Sequence, residues 1–178
     1  MARSVAFLGS INVGGNTLKM DALRDALEGD GFANVATVIA SGNVLFDSVG
    51  AEDVALERRM EKLIAERFGI ASFAAVRARA ELAATIAGNP FAGDGDEGRV
   101  HAHFLERQPE PEAFEKLVAD HARHGRERLA LGDRALYIDY VDGAGRSKLN
   151  SGFIERRLGC RGTARNMRSL ARILARMD

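Results

Sequence analysis

One order of local patterns, strand, helix, strand, strand, helix, strand, runs through this chain twice and limits it to a small set of sheet-and-helix folds. Val5 to Ile11 is an apolar run closed by Asn12 and Gly14-Gly15, the pattern of a buried strand. Thr17 is expected to cap the following helix, whose stripe is Met20, Leu23 and Leu27. Gly29 and Gly31 stop that helix. Val35 to Ala40 and Val44 to Phe46 are strand-like and are separated by the turn signal Ser41-Gly42-Asn43. A second stripe, Leu56, Met60, Leu63 and Ile64, ends near Gly69, and Phe73 to Val76 closes the set.

A short helix around Leu82 to Ala87 leads into Asn89-Pro90 and the acidic, glycine-rich stretch Gly93 to Gly98, which reads as a linker. The order then starts again with Val100 to Leu105 as a strand. Pro111 opens a helix carrying Phe114, Leu117 and Val118. Arg128 to Leu131 and Ala135 to Val141 form a hairpin across Gly132-Asp133. A helix from Leu149 to Leu158, a very short strand near Gly162-Thr163 and a helix from Asn166 to Met177 finish the chain. The expectation is an α+β protein: two ferredoxin-like plaits in tandem with a C-terminal helix. Residues 1–79 form the first lobe, 80–98 the connecting helix and linker, and 99–178 the second lobe. Element order alone carries this reading, because the halves share no residue-level repeat.

Apolar residues make up 46% of the 178 and charged residues 28%, the balance of an ordinary globular protein. No apolar run reaches 18 residues, so no membrane span is expected. The start, Met1-Ala2-Arg3-Ser4, leads straight into a strand and has no signal-peptide core. The single cysteine, Cys160, excludes an internal disulfide and fits a reducing cytoplasm. A formal net charge of +0 argues against the overall basic field of many DNA binders. Locally the balance differs. From Arg146 onward nine basic residues meet only Glu155 and Asp178, either a solvated basic helix or an anion-attracting face.

Three clusters carry candidate chemistry. In the first, Asn12, Gly14, Gly15 and Lys19 lie where a strand turns into a helix, so free backbone N–H groups, the helix dipole and a cation can meet an anion. Ser41 and Asn43 belong to the turn that follows. The second, Asp142 to Asn150, sets Arg146, Ser147 and Lys148 after Gly143 and Gly145, and Ser147 is also readable as a plain helix cap. The third places Arg165 and Asn166 in the first turn of the last helix. An arginine there opposes the dipole unless an anion or carboxylate meets it.

Other readings fail on spacing. There is no Gly-x-Gly-x-x-Gly, no P-loop and no Gly-x-Ser-x-Gly elbow. Asp94 and Asp96 suggest half of a calcium loop, but its twelfth position is Leu105, not a glutamate. His101 and His103 share one strand face and His121 and His124 lie three residues apart, yet nothing in sequence joins the two pairs, so no metal is expected. Arg156, Arg157 and Arg161 flank Cys160, which favours a reactive thiol, but with no histidine nearby a semi-buried cysteine is the expectation. No cofactor is expected.

Taken in order, the loops resemble a known bacterial family, domain-of-unknown-function 1697. The resemblance rests on Ile11-Asn12-Val13-Gly14-Gly15 with Lys19-Met20, Gly31-Phe32, and Ala40-Ser41-Gly42-Asn43-Val44 with Phe46. It continues through Asn89-Pro90-Phe91, Phe104-Leu105, Asp142-Gly143, Arg146-Ser147-Lys148-Leu149 and Thr163-Ala164-Arg165-Asn166. It implies a two-lobed α/β plait and assigns no activity. The chain departs from the family pattern at three places. Leu8-Gly9-Ser10 stands where Leu-Arg-Gly is usual, Met167 replaces a tryptophan, and Tyr140-Val141 replaces Tyr-Pro.

Three functions fit these observations. The first is binding of a phosphate-bearing ligand, a nucleotide or nucleic acid, through Lys19, Arg146, Lys148 and Arg165. The second is an enzyme acting on a small phosphorylated or carboxylated substrate; no His or Glu lies inside the motifs, so Asp142 is its only acid. The third is a structural or oligomerising module in which Arg165 pairs with Asp142.

Overall fold

The computed structural model describes residues 2–39, 42–48 and 50–178. Among these described residues are two four-stranded antiparallel sheets and six α-helices, consistent with two tandem lobes. The chain divides into two compact units, Met1–Leu82 with Ile173–Asp178, and Ala83–Arg172.

In the first unit the order is β1 (Ala2–Gly9), α1 (Met20–Gly29), β2 (Ala33–Thr37), β3 (Asn43–Ser48), α2 (Asp53–Phe68) and β4 (Phe73–Ala78), followed by the start of α3 (Arg79–Ala87). The sheet runs β2-β3-β1-β4. Alternation of side chains puts Ala6, Leu8, Val44, Phe46, Ala74 and Val76 on one face, where they pack with Leu23 and Leu27 of α1 and Leu56, Met60, Leu63 and Ile64 of α2. Both helical stripes read from the sequence are therefore core. The α1 end is a Schellman turn: Phe32 N donates to Leu27 O, Gly31 N donates to Glu28 O, and Gly31 takes φ 95°. Thr17 does not cap α1. The cap position is Lys19, whose side chain makes no capping bond, and Asn12 reaches across the loop to accept from Leu18 N at 2.7 Å.

The outer edge of this sheet is closed by carboxylates. Glu61 Oε1 accepts from Ala74 N at 3.0 Å, Glu57 Oε1 from Val76 N at 2.9 Å, and Glu81 Oε2 from Ala78 N at 2.7 Å. Three alternate N–H groups of β4 are thus satisfied by side chains of α2 and α3. At the opposite edge the β2–β3 register shifts between Ala33 and Ala36, and Asn34 adopts φ 51°.

The second unit repeats the order: β5 (Val100–Leu105), α4 (Pro111–His121), β6 (Arg128–Gly132), β7 (Ala135–Asp139), α5 (Ser151–Leu158), β8 (Gly162–Asn166), then the start of α6 (Met167–Ala175). The sheet runs β6-β7-β5-β8. Leu105, Leu136 and Ile138 pack with Leu117, Ile154 and Leu158 of α4 and α5. Val118, expected in the α4 stripe, is instead 40% exposed. The β6–β7 turn is Asp133-Arg134, one residue later than expected, with Arg134 at φ 46°. Asn150, not Ser147, caps α5, accepting from Phe153 N at 2.9 Å. The last strand is longer than expected and absorbs Arg165. Among the described residues no helix is long and apolar enough to cross a membrane.

Candidate functional site

The sequence-selected residues fall into separate places. Asn12, Gly14, Gly15 and Lys19 lie on an exposed loop of the first unit. Gly14 and Gly15 take φ 58° and 89°, and a Cβ on either would meet nothing within 4 Å, so backbone conformation is what selects glycine there. Asn12 spends its carbonyl on Leu18 N and thereby fixes the loop. Asn43 is buried at the start of β3 and donates from Nδ2 to Ile39 O at 2.8 Å, while its own O accepts from Val38 N. Ser41 lies outside the described residues, as does Ala40.

In the second unit, Arg146, Ser147 and Lys148 come together on one cleft of about 280 Å³, shared with Arg126, Glu127 and Asp142 among others. The connection after β7 makes this possible. Gly143, at φ 96°, turns the chain, a single 3-10 turn covers Ala144–Arg146, and Ser147 returns to extended backbone. Ser147 Oγ then accepts from Leu149 N at 3.0 Å and donates to Glu127 Oε1. Arg146 and Lys148 project into solvent, and among the described residues neither has an ion-pair partner. Asp142 is clamped by Arg126, Nε to Oδ2 at 2.9 Å and Nη2 to Oδ1 at 2.6 Å, which holds its carboxyl below the usual range. The alternative pairing of Asp142 with Arg165 is therefore ruled out.

Glu127 is the residue the sequence reading missed. It follows α4 by six positions and carries no motif; only the β6–β7 hairpin brings it beside Ser147. Burial pushes its carboxyl up, but the Ser147 hydroxyl, its own backbone N–H and His121 outweigh that, and the net shift is downward. His121 is buried, and its Nε2 comes to 2.8 Å of Glu127 Oε2, although the two are not aligned as a hydrogen bond.

Arg165 and Asn166 do not line this cleft. β8 holds the sheet edge opposite β6, with β5 and β7 in between. Arg165 is a strand residue, paired in register with Ala102, and donates to Thr163 Oγ1 at 2.8 Å and Ala164 O at 2.9 Å. Burial lowers its pKa to about 10. Asn166 is the cap of α6, accepting from Ser169 N at 2.8 Å.

His101 and His103 share a strand face, as their spacing requires. His101 stacks edge-on against Tyr140 at 4.9 Å. His103 is buried, and burial above all, with His101 and Arg165 adding, brings its pKa down to about 4. Among the described residues no three His, Cys, Asp or Glu side chains converge as a metal site. Cys160 is buried and its thiol donates weakly to Arg107 O at 3.7 Å; burial raises its pKa, against the activating effect read from its arginine neighbours.

No curated protein matches the chain. Among solved structures it is similar to the conserved bacterial protein SP0830 from Streptococcus pneumoniae. The identity is 23% over 99% of both chains, with a TM-score of 0.72, a likeness of fold alone. The family model described as a protein of unknown function, DUF1697, matches residues 1–137, through the first unit and into β7. By that match over most of its length, the chain belongs to the DUF1697 family.

Proposed function

We propose that this protein binds a phosphate-bearing or otherwise anionic ligand at the cleft lined by Arg146, Ser147 and Lys148. The observation that carries this reading is the charge state of the cleft. Three cations, Arg126, Arg146 and Lys148, face two carboxylates, and Arg126 is already taken by Asp142 while Glu127 faces His121. The two remaining cations have no acid of their own, which favours an incoming anion. Each unit is read here as a ferredoxin-like plait, supported by a sheet order in which the first strand lies inside and antiparallel to both neighbours. Such sheets can stack RNA bases on exposed aromatics, but Phe104 and Tyr137 are buried, so a ligand confined to the cleft is the better-supported form.

The test is titration of the full chain with inorganic phosphate, followed by NMR shifts. Perturbed residues are expected around Ser147, and the double variant R146A/K148A is expected to weaken binding at least ~10-fold. Binding unchanged in that variant overturns the reading.

One observation favours an enzymatic second reading: Glu127 supplies the acid that the motifs lacked, in hydrogen-bond contact with the Ser147 hydroxyl. A carboxylate held below its usual range is a poor base, so binding remains the stronger conclusion. Turnover of an activated phosphate ester that disappears in E127Q would establish the enzyme.

A further inference from the structure

The charged cleft has a neighbour. A second hollow of about 220 Å³ adjoins it, lined by Val118, Ala122 and Leu129 together with His121, and the two share Gly125 and Glu127. Neither hollow alone reaches the ~300 Å³ at which pockets begin to hold small organic molecules; joined, they enter that range. The seam between them is unusual. Among the described residues five buried side-chain polar atoms have no aligned hydrogen bond, and three of them lie here: Nε2 of His121 and Oε2 of Glu127, which face each other at 2.8 Å as an ion-pair contact, and Nδ1 of His121. Buried polar groups left unsatisfied are few in native proteins and call for a partner. Gly125 allows the crowding, since a Cβ there would collide with Glu127 Oε2. Val118 meanwhile keeps an exposed apolar surface at the second hollow, on a helix that packs Phe114 and Leu117 into the core.

The site therefore presents three chemistries in line: unpaired cations, an unsatisfied polar seam and an apolar recess. We propose that the ligand is a phosphorylated glycoside of the nucleoside monophosphate class. Its phosphate meets Arg146 and Lys148, its sugar hydroxyls meet the Glu127–His121 seam, and its planar base lies against Val118, Ala122 and Leu129. A sugar hydroxyl can pair with His121 Nδ1, which has no partner, and insert at the misaligned His121–Glu127 contact, and a base face suits a shallow apolar wall. The assignment rests on the anion-binding reading above and adds the identity of what the anion is attached to.

A ladder of ligands tests it on the full chain: inorganic phosphate, ribose 5-phosphate, then adenosine 5′-monophosphate, each titrated by calorimetry or NMR. Each rung is expected to tighten binding by roughly tenfold. E127Q should remove the gain from phosphate to ribose 5-phosphate, and V118D, a surface change, the gain from sugar to nucleotide. If E127Q unfolds, V118D alone carries the test. A flat ladder with phosphate binding retained overturns the nucleotide assignment and leaves the anion site standing. Loss of all three ligands overturns the anion site itself. A gain at the last rung that V118D does not reduce overturns the placement of the base.

Discussion

Single residues differ in how much of their role the sequence discloses. Ser147 is legible as a loop hydroxyl, but its partner Glu127 is not, because the two are 20 positions apart with a hairpin between them and no spacing rule links them. Gly125 shares that fate: nothing in its context says that a Cβ would strike Glu127 and crowd His121. Changing Gly125 to Ala is expected to push the Glu127 side chain off its contacts with Ser147 and His121. The Glu127 carboxyl pKa, read by NMR titration, should move in that variant. His103 leads to a prediction about pH. Unfolded, its imidazole takes a proton near its ordinary value of 6.5; folded, burial delays this to about 4. Between those values the unfolded chain binds more protons, so stability is full above pH ~6.5 and is lost as pH falls toward 4, by on the order of 3 kcal/mol. Urea unfolding at pH 7 and 4.5 checks this, and His103→Leu should flatten that part of the slope.

At the scale of elements, helices were legible and short strands less so. Leucine stripes and glycine stops fix α1 and α2 because helix burial repeats every three to four residues over a long span. β8 is only partly legible: the sequence marks a very short strand near Gly162-Thr163, whereas the strand runs Gly162–Asn166. Its positions on the face shared with His101, His103 and Leu105 are Gly162, Ala164 and Asn166, and a Cβ at Gly162 would come within 2.5 Å of His103 Nε2. These positions offer no apolar alternation, so Arg165 looks like a helix start when it is a strand residue. The edge of β4 is equally silent, since glutamates on a helix ordinarily read as solvated. Removing one is expected to cost measurably. Glu61→Ala strips the Ala74 N–H of its acceptor, a loss of about 1–3 kcal/mol. Glu57→Ala should cost more, about 3–5 kcal/mol, because Glu57 also stands 3.5 Å from the buried Arg77 guanidinium. Chemical denaturation of the two variants side by side tests the ranking.

For the whole molecule, net charge is a poor guide to where anions are attracted. The run of nine basic residues after Arg146 looks continuous in sequence, yet Arg157 pairs with Asp120 and Arg161 with Glu106, acids far upstream. Of the rest, Arg165 is largely buried, Arg156, Arg168, Arg172 and Arg176 are exposed, and Arg146 and Lys148 serve the proposed site. Oligonucleotide affinity that runs through the proposed cleft alone should involve few phosphates. A log–log plot of affinity against salt between 50 and 200 mM is expected to have a slope near −2, about one unit per cation. A much steeper slope in a salt titration would mean a broad basic surface instead. The repeated element order was legible from pattern alone, whereas the strand pairing that gives each sheet its order was visible only in three dimensions.

The carboxylates along β4 bear on how this protein behaves when crowded. An open strand edge is a template on which a stray chain can add itself and begin a fibre or a swapped dimer. On β4 that template is occupied from within the same molecule, and on β2 the bulge at Asn34 breaks the even spacing that an added strand would need. The first sheet is thus finished on both sides without closing into a barrel, and its growth by recruitment ends where its own four strands end.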